Sequence, residues 1–346
     1  MSATLLHARN ALRRLLTAMA VLTLCAAAPL RHLADNGKPY LEIPASPTSG
    51  FNYPYLIFTP PQAPRACFPH LLVEINNGPD LAPDDAALVK AHTNAERVAT
   101  HYNLGNELAQ LFGAPLLVPV FPRPGIGTDS DIDAYSLSRA ALFAGGRMKR
   151  LDLQLVAMIA DAHARLLASG NRLDNKVAIT GYSGSGLFAS RFTFLHPDLV
   201  MAAAFGGLNS FIMLPAATWH GRALEYPLGL ADYPHITGHA FDAAAYAAIP
   251  QLAFQGTNDT NDAVPMDDEY TAPERDLIWA LFGKTMYPER WQAIQAPYRA
   301  ARTSLQFRVY DQIGHGIDRR AIADVYAVFA RAAGGRCSPD TSAAKR

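Results

Sequence analysis

Charge is scarce in this chain and evenly split. Only 17% of the residues are Asp, Glu, Lys or Arg, and 30 basic residues balance 30 acidic ones. Nucleic acid and anionic membrane surfaces call for a basic excess, so neither is expected as a partner. Past the N-terminal stretch no apolar run is long enough to cross a bilayer, and no stable membrane span is expected. No internal repeat is found, and no linker divides the chain. Metal patterns are missing too. There is no H-E-x-x-H. His235 and His239 stand four apart near Asp232 and Asp242, but Pro234 and Gly238 oppose the helix that would align them. The oxygen-rich run 258–262 lacks the glycine and final glutamate of a calcium-binding loop. Neither a metal nor a cofactor is implied.

Cysteine is nearly absent, with only Cys25, Cys67 and Cys337 in 346 residues. Residues 1–27 read as an export signal. Arg9, Arg13 and Arg14 precede an apolar run over 15–26, and the small residues Ala26, Ala27 and Ala28 close it. Cleavage after Ala27 removes Cys25 and leaves two cysteines in a secreted or periplasmic chain. They form either a disulfide or two buried thiols.

What the chain does have is apolar residues, half of the total, enough for one large α/β domain over 28–346. The prolines of 35–66 surround residues 51–58, which alternate as an antiparallel edge strand. Buried strands are expected over 70–75, 115–121, 177–180, 200–205, 252–255 and 305–311. Helices are expected over 95–112, broken or kinked near Gly105, and over 150–167, 187–195 and 317–330. His196 ends the third of these, where a histidine suits the negative end of the helix dipole. A helical insert carries Trp279 and Trp291. Residues 208–248 break the rhythm with Trp219, Tyr226, Tyr233 and Phe241, and read as a cap-like insertion over the sheet's carboxyl edge, or as a cap on its own small core.

The organising stretch is Gly181-Tyr182-Ser183-Gly184-Ser185-Gly186, between a β-branched strand and a helix. A tight strand-to-helix turn lifts a serine above the sheet beside unpaired helix N–H groups. These residues resemble the G-x-S-x-G nucleophile elbow of the α/β-hydrolase superfamily, with Ser185 standing where the last glycine belongs. Centring the motif on Ser185 would lose both glycines, so Ser183 is preferred. The plainer reading is a Gly/Ser-rich turn of a structural βα unit. The resemblance implies a mostly parallel central sheet with helices on both faces, and an acid and a histidine on later strand ends. Asp259, in Gly256-Thr257-Asn258-Asp259, fits the acid; Asp262 in the same loop is the alternative. His315, in Ile313-Gly314-His315-Gly316, fits the histidine, its glycines expected to give the ring room. Ser183, Asp259 and His315 follow the chain order of this superfamily.

The resemblance also implies an oxyanion hole, with one N–H from Gly184 and one from Asn77 or Gly78, since Pro79 has none. The acidic trio 267–269 reads most simply as a solvated loop. Together these residues point to an exported serine hydrolase of small neutral carboxylic esters. An extracellular polyester depolymerase and a catalytically inactive binding module are the alternatives.

Overall fold

The computed structural model of the chain describes residues 38–61, 67–77, 84–123, 135–208, 211–266, 269–335 and 337. The expected export signal, Gly78, Asp267 and Asp268 lie outside the described residues.

Eight strands form one sheet: β1 (Tyr40–Ile43), β2 (Tyr55–Phe58), β3 (Leu72–Glu74), β4 (Leu116–Pro119), β5 (Val177–Tyr182), β6 (Val200–Gly206), β7 (Gln251–Gly256) and β8 (Leu305–Tyr310). Their spatial order is β1-β2-β4-β3-β5-β6-β7-β8. The first two joints, β1 with β2 and β2 with β4, are antiparallel; the other five are parallel. The main helices are α1 (Asp84–Thr100), α2 (Leu104–Phe112), α3 (Leu151–Ala168), α4 (Gly184–Leu195), α5 (Ala272–Phe282) and α6 (Arg319–Ala332).

Alternation along the strands sorts the core into two layers. Ile57, Val73, Leu117, Ile179 and Phe205 meet Leu155 and Met158 of α3, Phe188 of α4 and Ile278 of α5. Leu56, Leu72, Leu116, Ala178 and Ala204 meet Val98 of α1, Leu108 of α2 and Phe329 of α6. Each central strand is thus covered on both sides, which is why it reads as a continuous apolar run rather than an alternating one.

Three expectations need correcting. Residues 55–58 are antiparallel as expected but not at the edge, because β1, in a stretch where no strand is expected, pairs outside them. The helix over 95–112 begins at Asp84 and is two helices. Its break lies before Gly105, where the Asn103 side chain caps α2 by accepting from the Leu104 N–H at 2.8 Å. The break thus falls near Gly105 as expected, and Gly105 itself serves a close contact: a Cβ there would come within 2.3 Å of the Glu74 carboxyl. Last, the aromatics of 208–248 pack into the main core. Tyr246 stacks on Phe194 of α4 at 4.1 Å, and Tyr233 meets Phe241 edge-on at 5.1 Å.

Glu74 is an acid sealed in this core, 1% exposed, accepting the Gly105 N–H at 2.5 Å. Burial pushes its carboxyl up to about 8, and the Gly105 bond only partly opposes this. The unfolded chain gives up that proton near the ordinary 4.5. Stability from this group is therefore full below the unfolded value and falls as pH rises toward about 8. Between pH 5 and pH 9 the melting temperature of the wild type should fall about 3 °C further than that of Glu74→Gln, which keeps the acceptor but never ionises. Parallel curves would show that Glu74 carries no such penalty.

Cys67 and Cys337 are joined, Cα to Cα 5.2 Å, across 270 residues. The bridge ties the segment before β3 to the end of α6, beside the stacked rings of Phe68, Phe112 and Tyr326. Replacing both cysteines with serine should cost about 2–4 kcal/mol in urea unfolding, through a less constrained unfolded chain. An unchanged midpoint would remove the bridge from the account of stability.

Candidate active site

Ser183 stands between β5 and α4 with φ 60° and ψ −131°, a left-handed backbone that a serine adopts only at a cost. The surroundings hold it there. Its N–H donates to the Gly206 carbonyl of β6 at 2.8 Å, and its own carbonyl accepts from the Gly186 and Leu187 N–H groups. The turn is so tight that a Cβ on Gly181 would lie 2.2 Å from the Ser185 carbonyl oxygen. Ser185 points inward. Its hydroxyl donates to the Tyr182 carbonyl at 2.8 Å and accepts the Tyr182 N–H at 2.9 Å, and the residue is 1% exposed. It is a clasp on the turn.

The loops after β7 and β8 meet beside this turn. The His315 Nδ1 lies 2.9 Å from the Asp259 Oδ2, and the Asn261 N–H donates to the other oxygen at 3.0 Å. The Asp259 side chain is sealed, whereas the His315 ring is 29% exposed. With Nδ1–H donating to the carboxylate, Nε2 is the acceptor, and the Asn261 amide reaches it at 3.1 Å. Tyr182 packs against the imidazole, ring centres 5.1 Å apart, and its hydroxyl donates to the Gly316 carbonyl at 3.0 Å. The glycines beside His315 do not make its room. A Cβ on Gly316 would meet nothing, but one on Gly207, at φ 56°, would lie 3.0 Å from the imidazole and closer still to the Tyr182 ring. The crowded glycine directly follows β6 and is not in the histidine's own loop.

Asp262 faces elsewhere. It pairs with Arg290 at 2.5 Å and accepts the Val264 N–H, tying its loop to the segment after α5. Gly184 opens α4, where N–H groups have no intrahelical acceptor. The Asn77 side chain donates to the Tyr182 carbonyl at 2.9 Å and lies beside Gly184.

Ser183, Gly184, Asn77, Asn261 and His315 share the wall of a cleft of about 660 Å³ with Arg97, Tyr102, Arg123, Tyr135, Met266 and Glu269. No described residue of 208–248 lines it, so the expected cover over the site does not come from that segment. Glu269 corrects another expectation. It is buried, 4% exposed, and its carboxylate lies 2.5 Å from Arg191, itself sealed within α4. Sequence reasoning also missed Asn261, Tyr135 and the two arginines. Asn261 follows a strand end and Arg123 stands between two prolines, whereas Arg97 lies within a helix and Tyr135 has no local signal.

Two of the other described histidines have local structural partners. His196 closes α4 and bonds to Asp152, 3.0 Å away. Burial would raise the Asp152 carboxyl, but hydrogen bonds from Arg150 and His196 override it and hold it at about 2. His239 bonds to the Ala240 carbonyl, Asp232 pairs with Arg139, and Asp242 caps the short helix Ala243–Ala248.

A mostly parallel sheet in this strand order, covered on both faces, with a strained serine between β5 and the following helix, is the α/β-hydrolase fold. No family model and no curated protein sequence matches the chain. Among solved structures it is similar to poly(aspartic acid) hydrolase-1 from Sphingomonas sp. KT-1, with TM-score 0.52 and 17% identity over 84% of this chain and 97% of that one. A poly(3-hydroxybutyrate) depolymerase from Bordetella parapertussis aligns with TM-score 0.48 and 18% identity, over 88% and 93%. No described helix is long and apolar enough to cross a membrane.

Proposed function

We propose that this chain is an exported serine hydrolase that cleaves carboxylic esters through an acyl-enzyme. Ser183 is the nucleophile, His315 the base and acid, and Asp259 the carboxylate behind it. The observation that carries this reading is the 2.9 Å contact between His315 and a sealed Asp259, in a cleft shared with Ser183. Asp259 selects the tautomer whose Nε2 lone pair faces the cleft and stabilises the imidazolium. In the resting state the Asn261 amide occupies that lone pair; on attack the Ser183 hydroxyl takes its place.

The steps follow. Nε2 takes the hydroxyl proton as the serine oxygen bonds to the ester carbonyl carbon. The N–H of Gly184, with a second from the Asn77–Gly78 segment, receives the oxyanion, each donor contributing about 3 kcal/mol. Collapse expels the alcohol, which leaves with the proton from the imidazolium. Water, deprotonated by the same ring, then attacks the acyl-enzyme and releases the acid and Ser183.

A cleft of this volume suits a small ester. The Cys67–Cys337 bridge favours an oxidising compartment, secreted or periplasmic. The test is a fluorophosphonate probe: the adduct should map to the Ser183 peptide by mass spectrometry and not form with Ser183→Ala. A chain left unlabelled under conditions that label a control esterase would be the inactive binding module instead. Release of soluble acid from a polyester film, with no turnover of small esters, would favour the depolymerase.

A further inference from the structure

Ser183 directly follows β5, and His315 is carried on the loop after β8. β6 and β7 lie between those two strands, so the sheet ladder links them only indirectly. A row of side chains makes a shorter crossing. Tyr182, the last residue of β5, pairs in register with Gly206 of β6, and Gly206 pairs with Phe254 of β7. Register partners in neighbouring strands point to the same face. Gly206 leaves the middle of the row empty: a Cβ there would lie 2.4 Å from the Phe254 ring and 2.6 Å from the Tyr182 ring. The two rings come together over it, centres 6.2 Å apart, and Phe254 meets Tyr310, at the end of β8, at 6.0 Å.

Gly207 clears the next position, where a Cβ would come within 2.6 Å of the Tyr182 ring. Through that gap Tyr182 packs on the His315 imidazole at 5.1 Å and donates its hydroxyl to the Gly316 carbonyl at 3.0 Å. Its main chain is fixed as well. The Tyr182 N–H donates to the Ser185 hydroxyl, and its carbonyl accepts from Ser185 and from the Asn77 amide. One residue therefore grips the serine turn with its backbone and the histidine loop with its side chain. Burial, and after it the Asp259 charge, push the Tyr182 hydroxyl above the ordinary phenol range, so it remains a donor near neutral pH.

We propose that Tyr182 is a positioning residue for the reaction, its ring and hydroxyl setting the distance of His315 from Ser183. This rests on the hydrolase reading above and adds to it a residue outside the triad. Asp259 selects the tautomer of the imidazole; Tyr182 sets where the ring stands. Proton transfer needs Nε2 within hydrogen-bond reach of the serine oxygen. A misplacement of about 1 Å can cost about 10²-fold in rate.

The test uses the full chain with two variants. Tyr182→Phe keeps the ring and loses the bond to Gly316; Tyr182→Leu loses both. With nitrophenyl butyrate, kcat should fall about tenfold in the first and about a hundredfold in the second. In Tyr182→Phe the KM should change by less than about twofold, because the lost bond acts on the histidine and not on bound ester. Melting curves report that the variants are folded. Proton NMR supplies a second readout. Tyr182→Phe keeps the ring current, so a moved Cε1–H resonance of His315 reports a moved imidazole. An unchanged kcat in Tyr182→Phe, a loss carried by KM, or a His315 resonance that stays in place would overturn the inference. If the wild type leaves the ester intact and the fluorophosphonate leaves Ser183 unlabelled, the hydrolase reading fails. The resonance alone then decides whether Tyr182 places His315: a shift in Tyr182→Phe supports it, and none rejects it.

Discussion

Ser183→Ala should lower kcat for ester hydrolysis by about 10⁵-fold or more, because a triad nucleophile acts as a unit with its base. The fold should survive. Ser183 holds its neighbours through backbone groups, its N–H to Gly206 and its carbonyl to Gly186 and Leu187. Ser185→Ala should do the opposite. Its hydroxyl makes two bonds to the Tyr182 backbone inside a sealed turn, so removing it should cost about 1–2 kcal/mol of stability and far less activity. Kinetics and melting curves on the two variants check both halves. A Ser183→Ala protein that still turns over ester and takes the probe on Ser185 would reverse the assignment.

The second large effect separates the two aspartates. Asp259→Asn should lower kcat by about 10⁴-fold with little change in melting temperature, because an amide at Oδ2 favours the wrong imidazole tautomer. Asp262→Asn should be a stability variant. Arg290 is fully buried and would lose its carboxylate, at a cost of about 3 kcal/mol. Activity measured well below its melting point should fall by about tenfold or less. Should Asp262→Asn be the inactive, stable protein, Asp262 is the catalytic acid and the pairing with His315 has another purpose.

Much of the fold was legible because it is written in short windows. Apolar runs such as Val177–Thr180 mark strands buried on both faces, and the small residues around Ser183 mark a turn too tight for side chains. The misses are also physical. β1 is four residues whose inner side chains are only partly buried and whose partner lies twelve or more residues away, so its periodicity is weak. The trio 267–269 looks solvated until Arg191, far away in the chain, is folded against Glu269. Room for the His315 ring comes from Gly207, over a hundred residues from it.

By itself the sequence determined the order of strands and helices, the nucleophile-elbow turn and the strand ends that carry Ser183, Asp259 and His315. Each depends on local backbone geometry and on hydrophobic spacing within a few residues. Only the tertiary structure decided which aspartate meets His315, which serine is a clasp, that residues 208–248 pack into the core rather than over the cleft, and that a neutral chain has arginines in its cleft. Those depend on contacts between residues distant in sequence. A charge or a hydrogen bond acts across a few ångströms of space, whatever the number of residues between its ends.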